Sequence, residues 1–434
     1  MPFKENVCFV HIPKCAGSSL EKAMGITENI SCGFGKQKLK DIDRDYVFQI
    51  QHLTYNQLKH FNILPYTCGF IFTFVRNPFD RMVSEFAWGG SWFPWREIYG
   101  HKKATEKGWK SFEEFLLFVE HHLKEYGNTD FSWCHFTPMY KFIRPEEAHF
   151  IGRVENFNDD LKRLNEKIPF ELPFVHINKR RHKPYQQVYT KETANIVRQL
   201  YAEDFKTFNY DKIVVISHYN EDIEWVKELE IPYVVYTKGT PEQLKTEHEQ
   251  VVRFGPNKCR EATSFIKYII DNYNTLPDNV CFIQSERISW HNDDLLDIIK
   301  RFKWGKYDYC NINHRNKYYR SGLLLEDTTQ ATLNMYKKSG LHRAQIWEHF
   351  FKDLGPAPPE KEWYCYACGQ FIVTREAIER KSLEFYKVLY EKMIKCEIAG
   401  EYYTALIFEH MWFRIFGQNI ACEPKITAQD FLNE

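Results

Sequence analysis

The sequence predicts an α/β protein: a parallel sheet with helices on both faces, followed by a second α/β domain. Short apolar runs alternate with amphipathic stretches from the start of the chain. Two of those runs break into a turn that carries a basic residue and then a helix. A fresh apolar strand at Lys212-Ile213-Val214-Val215-Ile216-Ser217 restarts the alternation. At 434 residues the chain exceeds the usual span of one core, so two domains are expected, 1–211 and 212–434.

In the first domain, strands are expected at 7–11, 47–51, 70–75, 149–154 and 174–178. Helices are expected at 18–24, 55–61, 78–87, 111–124, 159–167 and 191–205. Pro78 suits the first turn of a helix, which places the end of the preceding strand at Arg76. The second domain is expected to open with strand 212–217, then an amphipathic helix carrying Ile223, Val226 and Leu229, then strands at 233–236 and 280–284. No Gly/Ser linker separates the halves, so they abut near Tyr210 and Asp211.

Two stretches carry the chemistry. In Phe9-Val10-His11-Ile12-Pro13-Lys14-Cys15-Ala16-Gly17-Ser18-Ser19-Leu20 a buried strand runs into a Pro-Lys-x-x-Gly-Ser-Ser turn and a helix. A cation, two hydroxyls and free backbone N–H groups then stand where an anion can sit. The turn is P-loop-like without being the common ATP loop, G-x-x-x-x-G-K-[ST]: the lysine comes first, and the metal-holding arrangement is missing. Phe72-Thr73-Phe74-Val75-Arg76-Asn77-Pro78-Phe79-Asp80-Arg81-Met82-Val83-Ser84 repeats the plan, an arginine leaving a strand and a serine on the next helix. In such sheets ligands bind at the C-terminal ends of the strands, where both turns fall.

These residues resemble the carbohydrate sulfotransferases of the heparan-sulfate 2-O-sulfotransferase type, whose two loops run His-x-Pro-Lys-Thr-Gly-Gly-Thr-Ser and Arg-x-Pro-x-x-Arg-x-x-Ser. The resemblance implies that Lys14, Cys15, Ala16, Gly17, Ser18 and Ser19 hold the 5'-phosphosulfate of 3'-phosphoadenosine 5'-phosphosulfate (PAPS). It likewise implies that Arg76 and Ser84 hold the 3'-phosphate, and that the acceptor is a glycan or glycoconjugate. Cys15 and Ala16 stand where the family more often has Thr and Gly, and Ala16 narrows the backbone angles open to the loop.

Lys14 is expected to meet the charge that develops on the bridging oxygen of the donor. A base is wanted near it. His52, in Gln51-His52-Leu53-Thr54-Tyr55, follows a predicted strand into the same crevice, and imidazole titrates near pH ~6.5 when unperturbed. The family often carries a histidine base in such a setting. His11, inside the strand, reads instead as buried and hydrogen-bonded. The run Asn178-Lys179-Arg180-Arg181-His182-Lys183 is either a solvated face or, by resemblance, the segment that closes over the nucleotide through Arg180 and Arg181. Gly89-Gly90-Ser91-Trp92-Phe93-Pro94-Trp95 reads either as an acceptor-binding lid or as a loop packed on its own domain. The alternative for this half is a nucleotide-dependent kinase sharing the phosphate-loop plan.

Lysine plus arginine equals aspartate plus glutamate, 58 each, so no global field draws the protein to nucleic acid or anionic membrane. No apolar run approaches the roughly 20 residues that span a bilayer, and a strand is expected almost at once after Met1, which reads as a cytoplasmic enzyme of bacterial or viral type. The 12 cysteines form no small-domain framework and read as reduced thiols. Cys365-Tyr366-Ala367-Cys368 lacks a second C-x-x-C partner, so no metal is expected.

The second half resembles a family of uncharacterised domains related to nucleotide-sugar glycosyltransferases. The resemblance lies in Tyr219-Asn220-Glu221-Asp222, Arg260-Glu261-Ala262, Cys368-Gly369-Gln370-Phe371-Ile372-Val373-Thr374-Arg375 and Glu409-His410-Met411-Trp412. It implies a glycosyltransferase-A-like domain taking a nucleotide sugar, or a degenerate domain that only binds glycan. His291-Asn292-Asp293-Asp294 stands in for a metal-holding Asp-x-Asp pair, with Asn292-Asp293 as a helix N-cap for rival. Glu221 and Asp222 are read as contacts to a nucleotide or as caps, and Glu409 as a base.

Overall fold

The computed structural model describes residues 3–25, 52–60, 64, 68–89, 109–125, 134–174, 182–244, 248–289, 292–312, 319–320, 347–355, 365–366, 369–395, 408–409 and 411–416. The chain divides into two compact units, Met1–Tyr210 and Asp211–Glu434.

In the first unit β1 (Phe3–Lys4) pairs antiparallel with β2 (Val7–Val10). Helix α1 (Gly17–Ala23) and helix α2 (Tyr55–His60) precede β3 (Phe70–Val75). Then come α3 (Pro78–Gly89), α4 (Phe112–Glu125), β4 (Phe150–Arg153), α5 (Phe157–Asn165), α6 (Lys191–Leu200) and α7 (Ala202–Thr207). The sheet order is β1-β2-β3-β4, with β2, β3 and β4 parallel. Successive side chains of a strand face opposite ways. Val7 and Phe9 of β2 therefore join Phe72 and Phe74 of β3 in a core under α1 and α5. Cys8, Val10, Ile71 and Val75 face a second core under α2, α3, α4 and α6. Burial on both faces is why these strands read as unbroken apolar runs.

The expected helix 191–205 is two helices. The chain breaks at Tyr201, whose hydroxyl donates to Phe136 O at 2.9 Å. That tertiary bond and the ring's burial hold Tyr201 at φ −117°, outside helical geometry. The expected strand 47–51 and most of 174–178 lie outside the described residues, as do Cys368, the segment 90–108 of the aromatic loop, and Arg180 and Arg181.

The second unit opens on β5 (Lys212–His218), β6 (Tyr233–Thr237), β7 (Val251–Arg253), α8 (Arg260–Asn272) and β8 (Asn279–Gln284). It continues with α9 (Leu295–Arg301), β9 (Tyr309–Asn311), the paired strands β10 (Tyr319–Arg320) and β11 (Cys365–Tyr366), and β12 (Phe371–Thr374). Helices α10 (Arg375–Glu379), α11 (Leu383–Ile394) and α12 (Trp412–Phe416) close it. The main sheet runs β7-β6-β5-β8-β12-β9. Its first four strands are parallel; β12 lies antiparallel between β8 and β9. Apolar cores again fill both faces. Instead of the amphipathic helix expected after β5, a 3₁₀ turn (Glu224–Glu228) buries Ile223, Val226 and Leu229. No helix among the described residues is long and apolar enough to cross a membrane.

Candidate active site

Strand β2 delivers the chain to His11, and the residues that follow form the turn into α1. Lys14 at φ 66° and Ala16 at φ 63° are left-handed although neither is glycine. Ala16 therefore carries the strain that a glycine would avoid, and it gives α1 no side-chain cap. Cys15 is buried with its Sγ 3.8 Å from Met139 Sδ, and burial pushes its thiol up to about 12. Its side chain is thus core, and its backbone alone lines the turn. Ser18 is exposed and Ser19 buried.

Gly17 has a steric reason to be glycine. A Cβ there would lie 1.8 Å from His11 Nε2, so the imidazole packs directly on the start of α1. His11 is buried, stacks on Phe9 with ring centroids 5.5 Å apart, and pairs through Nδ1 with Glu21 Oε1 at 2.9 Å.

His52 is also buried, and its Nδ1 lies 3.2 Å from His11 O. A carbonyl oxygen only accepts, so Nδ1 carries the hydrogen and Nε2 the lone pair. The rings of His11 and His135 stand edge-on to it at 4.5 and 5.1 Å. Burial, then His11 and His135, hold His52 well below the ordinary imidazole range against the opposing bond to His11 O. It is neutral at physiological pH.

His135 pairs through Nδ1 with the buried Glu85 Oε2 at 2.9 Å and stacks on Trp88 at 4.8 Å. Lys14 Nζ lies 5.0 Å above the Trp88 ring. Burial alone would raise the Glu85 carboxyl; His135, Lys14 and Arg81 outweigh it and hold the group below its usual range. Arg81, fully buried, donates from Nε to Pro13 O at 3.1 Å and from Nη2 to His135 O at 3.0 Å. It ties the turn after β2 to the chain at His135.

The second turn meets the first. Arg76 leaves β3 and donates from Nη1 to Lys14 O at 3.1 Å, while its Nε and Nη2 each lie 2.7 Å from Asp80 Oδ2. His182 Nε2 lies 3.5 Å from Arg76 Nη2. Asn77 N donates to the half-buried Glu155, and Tyr210 Oη donates to the other Glu155 oxygen at 2.9 Å. Burial and the nearby Asp80 raise the Glu155 carboxyl although Asn77 N opposes it. Ser84 is half-buried on α3, about two turns beyond Arg76.

Lys14, Arg76 and His52 thus converge at the C-terminal edge of β2 and β3. Sequence reasoning missed Glu21, Arg81, Glu85, Trp88 and His135. The spacing of Arg81, Glu85 and Trp88 along one helical face was the available signal; two charges on a face turned to the core need partners.

In the second unit three of the acidic candidates, Asp294, Glu221 and Asp222, make local cap and turn bonds. Asp294, not Asn292 or Asp293, is the N-cap of α9: its Oδ1 accepts from Leu296 N and its carboxylate is gripped by Arg287. Glu221 accepts from Tyr219 N and Asn220 N at 2.9 and 3.1 Å, and Asp222 from Glu224 N at 2.9 Å. His291 lies outside the described residues. Among the described residues no three His, Cys, Asp or Glu come together as metal ligands.

A parallel sheet thus sends a lysine turn and an arginine turn from adjacent strands to one edge of an α/β unit. Residues 3–211 match the model of the Sulfotransferase family. Residues 213–429 match a second family, described as "Protein of unknown function (DUF3431)". No curated protein and no solved structure matches the chain.

Proposed function

We propose that the N-terminal half transfers a sulfuryl group from PAPS to a hydroxyl of a glycan. The carrying observation is the bond from Arg76 to Lys14 O, because it joins the two anion-binding turns into one site. The residues fit an adenosine bis-phosphate: α1 starts without a side-chain cap, and cations stand at the ends of two adjacent strands. Lys14 and the backbone from Cys15 to Ser19 hold the phosphosulfate end; Arg76 and Ser84 hold the 3'-phosphate. When bound, the donor supplies the sulfuryl group. Lys14 neutralises the oxygen that keeps the negative charge as its bond to sulfur breaks. His52 Nε2 takes the acceptor hydroxyl's proton as the new O–S bond forms. His11 O holds His52 in the tautomer this requires.

The test is thermal unfolding with 3'-phosphoadenosine 5'-phosphate without metal, beside ATP with magnesium. Stabilisation by the former alone is expected; stabilisation by ATP and magnesium alone supports a kinase instead. Lys14→Ala is expected to abolish transfer of label from PAPS while the fold is kept. Retained transfer in that variant rejects the mechanism.

The C-terminal half is read as a sugar-directed domain, glycosyltransferase-A-like and taking a nucleotide sugar, or binding glycan without turnover. Hydrolysis of a panel of nucleotide sugars by the full chain separates the two.

A further inference from the structure

Lys14 has a backbone that lysine seldom adopts. Its φ of 66° is left-handed, a conformation that persists in a residue with a side chain only where the surroundings impose it. Three contacts bear on it here. Arg81 Nε donates to Pro13 O at 3.1 Å, Arg76 Nη1 donates to Lys14 O at 3.1 Å, and Lys14 Nζ lies 5.0 Å above the Trp88 ring. The first two act on the backbone; the third acts on the ammonium.

Trp88 is itself held in place. It lies in the last turn of α3, on the same helical face as Arg81 and Glu85. All three converge on one residue outside the helix. Arg81 Nη2 donates to His135 O at 3.0 Å, Glu85 Oε2 pairs with His135 Nδ1 at 2.9 Å, and the Trp88 indole stacks on the His135 ring at 4.8 Å and 12°. Arg81, Glu85 and His135 are all buried. An imidazole fixed at its backbone and at Nδ1 cannot turn, so the plane of the indole stacked on it is fixed too. A line of contacts thus runs from buried Glu85 through His135 and Trp88 to the ammonium of the first turn.

The chemistry of that last contact suits an anion site. A carboxylate beside Lys14 would neutralise the cation and repel the anion it has to meet. A ring face attracts a cation within about 6 Å and carries no net charge. The indole therefore aims the ammonium and leaves its charge available.

We propose that Trp88 is a positioning residue for sulfuryl transfer, its indole holding the Lys14 ammonium where negative charge develops on the donor. The proposal deepens the sulfotransferase reading and rests on it. In the step, Lys14 meets the electron pair that stays on the donor oxygen as its bond to sulfur breaks. The acceptor oxygen bonds to the sulfur, and His52 Nε2 receives the acceptor's proton. Trp88 keeps an ammonium on a flexible stem from straying out of line.

The experiment compares the full chain with Trp88→Phe and Trp88→Leu. Phenylalanine keeps a ring face of weaker attraction, and leucine has none. With labelled PAPS, kcat is expected to fall about tenfold in Trp88→Leu and about threefold in Trp88→Phe. The KM for PAPS should stay within about twofold, as for an interaction made in the transition state. The acid limb of kcat/KM set by His52 should keep its position in both variants. Trace acetylation of the donor-free chain by acetic anhydride, read at Lys14 by mass spectrometry, should run about threefold faster in Trp88→Leu, because the ring no longer covers the amine. Unchanged kcat or unchanged Lys14 labelling overturns the proposal. So does a displaced acid limb, which assigns the loss to His135 and His52 instead. If Trp88→Leu does not fold, Trp88→Phe decides on the same readouts. No label transfer by the wild type defeats the sulfotransferase reading and this proposal with it; transfer that Trp88 substitutions leave unchanged defeats this proposal alone.

Discussion

Gly17 and Ala16 are neighbours with opposite relations to their own side chains. Gly17→Ala drives a methyl into the His11 ring and, through His11 O, displaces His52. A loss on the order of 1–3 kcal/mol is expected from overpacking, with sulfuryl transfer falling more steeply than donor affinity; chemical denaturation and single-turnover rates check both. Ala16→Gly relieves a left-handed alanine and is expected to stabilise the unit by about 1 kcal/mol. The depressed titration of His52 has a signed consequence. The proton is disfavoured in the folded site, so the acid limb of kcat/KM should lie below pH 6.5, and a limb at or above that value would remove His52 as base. Lys14, Arg76 and Gly17 were legible because a basic residue after an apolar run is a local pattern. Glu85 and His135 were not, since what makes them a pair is a contact across the sheet edge between residues fifty positions apart.

At the scale of elements, α3 acts as a strut. Asp80 holds Arg76, Arg81 laces the turn at Pro13 to His135, and Glu85 and Trp88 hold the His135 ring from two sides. Arg81→Met is expected to cost roughly 3–5 kcal/mol, the range for breaking a buried charge network, with urea unfolding as the measurement. Helix α7 contributes Asp204, whose carboxylate accepts from Met139 N and Tyr140 N, both at 2.8 Å. Burial, against Arg81 and those two bonds, raises its carboxyl from 3.8 to about 6. The folded state thus holds the proton more tightly than the unfolded chain does. Its contribution is full below about pH 4 and lost as pH rises through 6, on the order of 3 kcal/mol. Asp204→Asn should flatten that part of the stability curve. Strand 70–75 was readable to the residue, because an apolar run bounded by Arg76-Asn77-Pro78 has no other good assignment. The helix 191–205 was misread at Tyr201, where a hydrogen bond to Phe136 O outweighs helical periodicity.

For the whole molecule, each unit carries its own sheet and its own pair of cores. A chain of residues 1–210 is therefore expected to unfold cooperatively and to keep stabilisation by 3'-phosphoadenosine 5'-phosphate; loss of either in circular dichroism or thermal shift would show that it depends on the remainder. The parallel order of β2, β3 and β4 follows from strand–helix alternation. The insertion of β12 between β8 and β9 had no local signal, because antiparallel pairing over such a span depends on side chains that meet only in the folded sheet. That insertion has a consequence during synthesis. Until the ribosome has released the segment around Phe371, one edge of β8 is unpaired along its apolar centre, Val280 to Ile283, and open to the same segment of another nascent chain. The interval between translating Gln284 and Thr374 is the period in which this polypeptide most needs a chaperone.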